Sequence, residues 1–123
     1  GQTWYLQAIM NRIYANHAID VISQAEVDQA IEELIDENET AFENYYSSLT
    51  NNQCALLLAI ARERQVKAPM ANEFKRKHRL PALSSIKTAL TALTDQQLIY
   101  QYHGNYIVYD RFFGMWLRQR VTV

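Results

Sequence analysis

The pattern of apolar and polar positions predicts a chain of helices that ends in a hairpin and one more helix. Apolar residues recur every three or four positions in residues 3–16, 24–49, 51–64 and 85–96, which is typical of helices that bury one face. In residues 98–110, aromatic and β-branched residues surround a Gly-Asn pair, which indicates a β-hairpin. A final helix is predicted over residues 111–120, where large aromatic residues return at helical spacing.

Helix starts are marked by capping boxes, in which a Ser or Thr side chain and a Glu or Gln three residues later bond each other's backbone amides. Residues 23–26 and 50–53 both fit this pattern. A further match at residues 40–43 leaves two alternatives open, because residues 24–49 could form one long helix or two helices in series.

The middle of the chain has the order of a helix-turn-helix. A short helix is predicted over residues 70–78, followed by a turn at Pro81, because the residue before a proline is disfavoured in helices. The second helix, residues 85–96, is expected to be capped by Ser84 or Ser85. With the hairpin directly behind it, this order predicts a winged helix-turn-helix.

The hairpin is predicted to turn at Gly104 and Asn105, since this pair readily adopts positive φ. With those two residues as the loop, five apolar side chains fall on one face of the hairpin, which we expect to pack on the core. They are Leu98, Tyr100, Tyr102, Ile107 and Tyr109, with Tyr102 opposite Ile107 and Tyr100 opposite Tyr109.

The predicted fold class is therefore mainly α, with a helical segment at residues 1–49 and a winged helix-turn-helix with one β-hairpin wing at residues 50–123. The net charge of −1 hides a strong polarity between the two parts. Residues 1–50 carry nine acidic side chains and one basic one, whereas residues 51–123 carry eleven basic and four acidic ones. Either the basic half attracts phosphate or an acidic protein face, or the acidic helices screen it within one fold.

Candidate binding residues lie on the two helices of the helix-turn-helix. Cations at the end of the first helix would lie against a phosphate backbone, and the exposed side of the second helix would face the partner. The candidates are Lys75, Arg76, Lys77 and Arg79 on the first helix, and Ser85, Lys87, Thr88 and Thr91 on the second. The alternative for the basic cluster is a solvated helix end.

Sequence-specific readout of DNA is not favoured by these residues. Bases in the major groove are read by Arg, Asn or Gln through paired hydrogen bonds, but the second helix exposes one lysine and several hydroxyls. The tip of the wing, residues 103–105, also carries no arginine or lysine for the minor groove. A nonspecific grip on DNA or a protein-docking role is therefore predicted.

No catalytic or metal-binding pattern is found. The chain has three glycines and no phosphate-binding loop, and its histidines, His17, His78 and His103, lie far apart in sequence. The acidic run at residues 32–39 is interpreted as a solvated helix face. We expect no enzyme activity, no catalytic residue and no metal site in this segment.

The single cysteine, Cys54, is expected to be a small packing residue, and a lone thiol fits a reducing cytoplasm. No secretory signal is present at the N-terminus, and no stretch of about eighteen apolar residues predicts a membrane span. The expected location is therefore cytoplasmic, with no membrane partner.

Three segments of the chain carry a family resemblance. They are Gly1-Gln-Thr-Trp-Tyr-Leu-Gln7, Leu83-Ser-Ser-Ile-Lys-Thr-Ala-Leu-Thr-Ala-Leu93 and Tyr106-Ile-Val-Tyr-Asp-Arg-Phe-Phe-Gly-Met-Trp-Leu-Arg118. Together they resemble the archaeal-type AAA+ ATPases of the signal-transducing (STAND-like) P-loop class. The first is similar to the start of the lid helix in those proteins and the second resembles their winged helix. The third is similar to their closing motif, a tyrosine strand, an aspartate, two phenylalanines and Trp-Leu-Arg/Lys.

This resemblance implies that the chain is the C-terminal part of a larger ATPase. Residues 1–49 would then form a lid-like segment that packs on the protein's own nucleotide-binding domain. ATP and Mg²⁺ would bind in that other domain, and no cofactor is expected in the present segment. The winged helix would follow as a regulatory module that contacts a protein partner or, nonspecifically, DNA.

Overall fold

The structure is a computed structural model that describes residues 3–16 and 23–121. Helices dominate it, and its one sheet is a two-stranded antiparallel hairpin that follows five of the helices. In chain order the elements are α1 Thr3–Asn16, α2 Gln24–Ser47, α3 Asn51–Glu63, α4 Asn72–Lys77, α5 Leu83–Asp95, β1 Ile99–Tyr102, β2 Asn105–Val108 and α6 Arg111–Arg120. His17 and the first two residues of the lid-like motif lie outside the described residues.

Two compact units make up the chain, residues 1–40 and residues 41–123, and the division falls within α2. The boundary predicted between residues 49 and 50 stays a prediction. In the first unit, Ile9 and Ile13 are buried one helical turn apart on α1, and the Arg12 guanidinium pairs with the Glu37 carboxylate of α2.

The open question about residues 24–49 is answered by α2, which runs through residues 40–43 as one helix of 24 residues. The capping residues there do not restart it. At the predicted start of α2, the Ser23 hydroxyl accepts a hydrogen bond from the Glu26 amide at 3.3 Å.

The centre of the second unit is α3, whose residues 56–61 are all buried. Because α3 packs against α5, α6 and β2, these residues are apolar on every side of the helix. The predicted capping box at its start is confirmed: the Gln53 amide donates to Thr50 Oγ1 at 3.2 Å, and the Thr50 amide donates to Gln53 Oε1 at 3.1 Å.

The helix-turn-helix is present, with two corrections to its helix limits. Helix α4 is shorter than the predicted residues 70–78, and α5 begins two residues earlier than predicted, at Leu83. The expected cap by Ser84 or Ser85 is wrong, because the N-cap is Ala82, which makes no side-chain cap bond. Ala82, which follows Pro81, has φ −57° and ψ 152°, so its backbone is not helical and α5 begins at the next residue, Leu83.

The hairpin turns one residue earlier than predicted. Its loop is His103–Gly104, both with positive φ (51° and 80°), as a type I′ turn needs. Histidine enters this left-handed region more readily than most side chains. Tyr102 therefore pairs with Asn105 rather than with Ile107, a slip of two residues along β2.

The slip of two residues keeps the tyrosines together on one face, since side chains alternate with a period of two. The prediction that this face packs on the core is wrong. Ile99 and Val108 of the other face are 1% and 8% exposed, whereas Tyr102 and Tyr109 are 55% and 52% exposed. Aliphatic side chains have no polar atom to hydrate, whereas a tyrosine hydroxyl does, and this difference favours the aliphatic face for the core.

A third extended segment escaped the sequence analysis. Val66 and Tyr106 exchange two backbone hydrogen bonds, of 3.0 Å and 2.8 Å, as an isolated antiparallel bridge. This bridge links β2 to the segment that follows α3.

The last helix, α6, is confirmed at the predicted residues. The Asp110 carboxylate caps it by accepting the amides of Phe112 and Phe113 at 2.9 and 3.2 Å. The ring of Phe113 then packs against Phe42 and Trp116, with centroids 5.3 and 5.9 Å away. The predicted mainly α fold with a winged helix-turn-helix is thereby confirmed.

Candidate partner-binding surfaces

The four cations predicted on α4 do not form one uniform patch. Lys77 Nζ lies 2.7 Å from Glu63 Oε2 at the end of α3, so its charge is already compensated. Lys75 is half-buried, whereas Arg76 and Arg79 are exposed. Two of the four predicted residues therefore remain well placed to contact a phosphate.

Glu63 holds two residues of this region together. His78 Nε2 lies 2.8 Å from the same Oε2 atom that Lys77 contacts. The hydrogen bonds from Lys77 and His78 hold the pKa of Glu63 below its ordinary value, since they favour the charged carboxylate. The end of α3 is thus tied to the end of α4.

Arg79 is exposed because of how α4 ends. Its φ of 54° is left-handed, and the following amide, that of Leu80, donates to the Lys75 carbonyl at 2.9 Å. This bonding pattern terminates many helices, usually with glycine at the left-handed position. An arginine there brings a cation to the turn at a cost of about 1 kcal/mol in backbone strain.

The exposed face of α5 offers few hydrogen-bond donors. The hydroxyls of Thr88 and Thr91 donate to the carbonyls of Ser84 and Lys87, each at 3.1 Å. These hydroxyls therefore already donate their hydrogens to backbone carbonyls of the same helix. Lys87 is the one charged donor on that face and is exposed.

Ser85 and Thr88 face a shallow groove of about 290 Å³ between α5 and the start of α3. Its opposite wall comprises Thr50, Asn52 and Gln53. The groove is polar and uncharged, which suits a neutral polar segment of a protein better than a phosphate backbone.

A second surface, which the sequence analysis missed, lies on the wing. Tyr100 has its ring centroid 6.2 Å from that of Tyr102 and 5.4 Å from that of Tyr109, and we call these three residues the tyrosine row. Beside it, β2, α6 and the end of α3 enclose a groove of about 440 Å³. Arg64, Arg111 and Arg118 line this arginine groove, together with Tyr102 and Ile107 of the wing.

The signals for this surface were present in the sequence but could not be combined. The three arginines come from the end of α3 and from both ends of α6, more than forty positions apart. The tyrosines were assigned to the core. Only the packing of β2 between α3 and α6 brings both sets together.

Chemical sites are not evident in the described part of the chain. No group of three His, Cys, Asp or Glu residues there could hold a metal ion. Cys54 donates its Sγ hydrogen to the Tyr46 carbonyl at 3.3 Å, and burial raises the pKa of its thiol, which favours the unreactive form. Among residues 3–16 and 23–121, no helix is long and apolar enough to cross a membrane.

Comparison with known proteins agrees with this fold. The family model described as "Probable winged helix domain" matches residues 40–119, and the chain belongs to that family. No curated protein and no solved structure matches the chain. The matched region begins within α2 and ends in α6, so it includes both candidate surfaces.

Proposed function

We propose that this winged helix is a non-catalytic regulatory module of a larger AAA+/STAND-type ATPase, in which it couples nucleotide state to contacts with a partner. The resemblance at residues 1–7, 83–93 and 106–118 supports the attachment to an ATPase. Its first partner would be its own nucleotide-binding domain, where ATP and Mg²⁺ bind. We place the whole protein in the cytoplasm.

The exposed face of α5 is the observation that carries a regulatory, protein-docking role. The hydroxyls of Thr88, Thr91 and Thr94 are bonded to the helix's own carbonyls, and Lys87 is its one cation. Base recognition needs paired donors and acceptors on long, planar side chains, which this face lacks. A polar surface with few unmet hydrogen bonds, bordered by an uncharged groove, fits a protein partner.

Duplex binding measured by fluorescence anisotropy across a salt series tests this assignment. Protein docking predicts no binding to the labelled duplex through α4 and α5 at physiological salt. It also predicts that the triple substitution Arg76→Ala, Arg79→Ala and Lys87→Ala leaves the titration unchanged. The matched control is Lys67→Ala, an exposed cation outside both helices.

A free-standing DNA-binding regulator is the second candidate, and the exposure of Arg76, Arg79 and Lys87 favours it. Each phosphate contact lowers the slope of log K against log salt by about 0.9 for a duplex. A steep slope that the triple variant flattens, while Lys67→Ala does not, would replace protein docking with this candidate.

The attachment to an ATPase has a separate test in the gene itself. A reading frame that encodes a phosphate-binding loop upstream of Gly1 supports the proposal. A frame that encodes this segment without any nucleotide-binding domain removes it. In the longer protein, limited proteolysis with ATP and with ADP should cut α4 and α5 at different rates if the nucleotide state reaches them.

A further inference from the structure

The arginine groove is electropositive in spite of one carboxylate on its wall. That carboxylate belongs to Glu63, whose Oε2 atom is contacted by Lys77 Nζ at 2.7 Å and by His78 Nε2 at 2.8 Å. The local charge of Glu63 is thus offset from outside the groove. With three arginines and one glutamate among its lining residues, the groove carries a positive formal charge.

One of these arginines is held in place by the backbone, since Arg118 Nη1 donates to the Ala61 carbonyl at 3.2 Å. Arg64 directly follows α3 and is exposed. Its φ is 71°, a backbone conformation that residues other than glycine rarely adopt. Planar, multiply donating groups of this kind match phosphate oxygens.

The tyrosine row continues this groove along the wing. Tyr102 belongs to both features, and its ring also contacts His103, with centroids 4.2 Å apart. The two outer tyrosines, Tyr102 and Tyr109, are both more than half exposed. Aromatic rings that lie next to one another on one face of a hairpin provide successive stacking sites for planar rings.

We propose that the arginine groove and the tyrosine row together bind single-stranded nucleic acid, with phosphates at the arginines and unstacked bases at the tyrosines. Charged grooves that follow a backbone, flanked by aromatic side chains, bind single strands without strong sequence preference. The bases of a duplex are already stacked on each other, so a duplex could use only the arginines. An acidic protein segment would likewise leave the tyrosines without a planar ring to stack on.

This site is separate from the α4 and α5 residues on which the proposed function rests, so the two proposals can fail independently. The arginines and tyrosines belong to α3, β1, β2, α6 and the residues between them. Glu63 is shared, because it lines the groove and pairs with Lys77, but substitutions that spare Glu63 leave the other surface intact. Both surfaces can therefore be tested in the same 123-residue chain.

Anisotropy with a labelled oligothymidine tests the stacking half of the proposal. Tyr102→Leu keeps an apolar side chain but removes the ring, and we expect it to weaken binding about tenfold with an unchanged salt slope. Tyr102→Phe keeps the ring and should bind like the original chain. Equal affinity of all three proteins for the oligonucleotide would overturn the proposal.

The phosphate half is tested by Arg64→Gly, which removes the charge at a position whose φ suits glycine. The salt slope should become shallower by about 0.7, the contribution of one phosphate contact in a single strand. Thermal unfolding of each variant verifies that the fold is retained. The matched control, Lys67→Ala, changes an exposed cation that lies outside the groove, α4 and α5, and it should leave both affinity and slope unchanged.

Three further outcomes would overturn the inference. One is no binding of oligothymidine even at low salt. Another is binding of the matching duplex as tightly as the single strand. The third is binding of polyglutamate with equal affinity, which would make the surface a site for acidic proteins. A preference for the single strand that Tyr102→Leu and Arg64→Gly both reduce supports it.

Discussion

Helix α5 and the wing present opposite kinds of surface. On α5, threonine hydroxyls donate to the helix's own backbone, and one lysine is left for contacts. On the wing, Tyr102 and Tyr109 of the tyrosine row are exposed, beside a groove lined by three arginines. The helix that a winged helix usually directs toward DNA is therefore the chemically poorer surface, and the wing is the richer one.

This difference shows that the position of an element in a fold does not decide which surface binds. Binding depends on groups whose hydrogen bonds and stacking faces are not already used within the protein. On α4 the Lys77 ammonium is used by Glu63, and on α5 the threonine donors are used by carbonyls. The rings of Tyr102 and Tyr109 remain accessible.

The largest expected effect comes from the core that both surfaces share. Leu93 of α5 is fully buried, and α5 packs on both α3 and β1. Leu93→Ala should therefore lower the free energy of unfolding by about 2–5 kcal/mol. Circular dichroism and tyrosine fluorescence should report one common transition during thermal unfolding, because helix and wing lose the same support.

Leu90, one turn away, provides the matched control because it is only half-buried. Leu90→Ala should cost clearly less than Leu93→Ala. A wing that stays folded while α5 melts in the Leu93→Ala variant would mean that the two surfaces are independent.

A smaller effect is expected from a change that reaches only the wing. Gly104 has a φ of 80°, so Gly104→Ala should cost about 1–2 kcal/mol of backbone strain. Asn105 lies in β2, and Asn105→Ala should change the stability little. Chemical denaturation of both variants measures the difference. The reverse order, with Asn105→Ala the more costly, would favour the turn predicted from the sequence.

Two substitutions of Asp110 distinguish the contribution of its helix cap from the contribution of its charge at the start of α6. Asp110→Ala should cost about 1 kcal/mol because two amides lose their acceptor, whereas Asp110→Asn keeps an oxygen there. Burial raises the pKa of Asp110 in the folded protein. The contribution of the carboxyl to stability is therefore most favourable below its ordinary pKa of 3.8, and it is lost as the pH rises through the raised value.

Denaturation of the original chain and of the Asp110→Asn variant over a pH series measures this contribution as their difference. The original chain should lose stability relative to the variant as the pH rises. A constant difference across the series would contradict a raised pKa.

The smallest effect is expected from the ion pair between Glu63 and Lys77, which compensates one of the positive charges of α4. The pKa of Glu63 is lowered, so its contribution is present above its ordinary pKa of 4.5 and is lost as the pH falls through the lowered value. Glu63→Gln should cost at most about 1 kcal/mol at neutral pH, since the pair is partly exposed. The variant also releases Lys77, but protein docking predicts no duplex contact at α4, so the salt dependence of duplex binding should stay unchanged. A steeper slope in the variant would favour the DNA-binding candidate.

Local signals in the sequence predicted the elements well. A helix over residues 3–16, the limits of α6 and the capping box at Thr50 depend on residues close in sequence, and each was confirmed. The order of the winged helix follows from the same local patterns. The prediction of which hairpin side chains share a face was also correct, since a shift of two residues in the strand pairing leaves each side chain on the same face.

Features that depend on distant residues could not be predicted in this way. Nothing local marks Val66 as the partner of Tyr106, forty positions further on, or Glu63 as the partner of Lys77. The core face of the hairpin was misassigned because tyrosine counts as apolar in a pattern, although its hydroxyl tolerates water. Whether Ile99 or Tyr100 is buried depends on the helices behind the sheet.

Chemical-shift mapping by NMR tests the difference between the two surfaces most directly. An isotopically labelled chain is titrated with oligothymidine, and the amide and aromatic signals are followed together. We predict that the shifts concentrate at Arg64, in the tyrosine row and at the arginine-bearing ends of α6, with the exposed face of α5 unchanged. Shifts confined to α4 and α5, with the ring signals of Tyr102 and Tyr109 unmoved, would contradict the assignment of nucleic-acid binding to the wing.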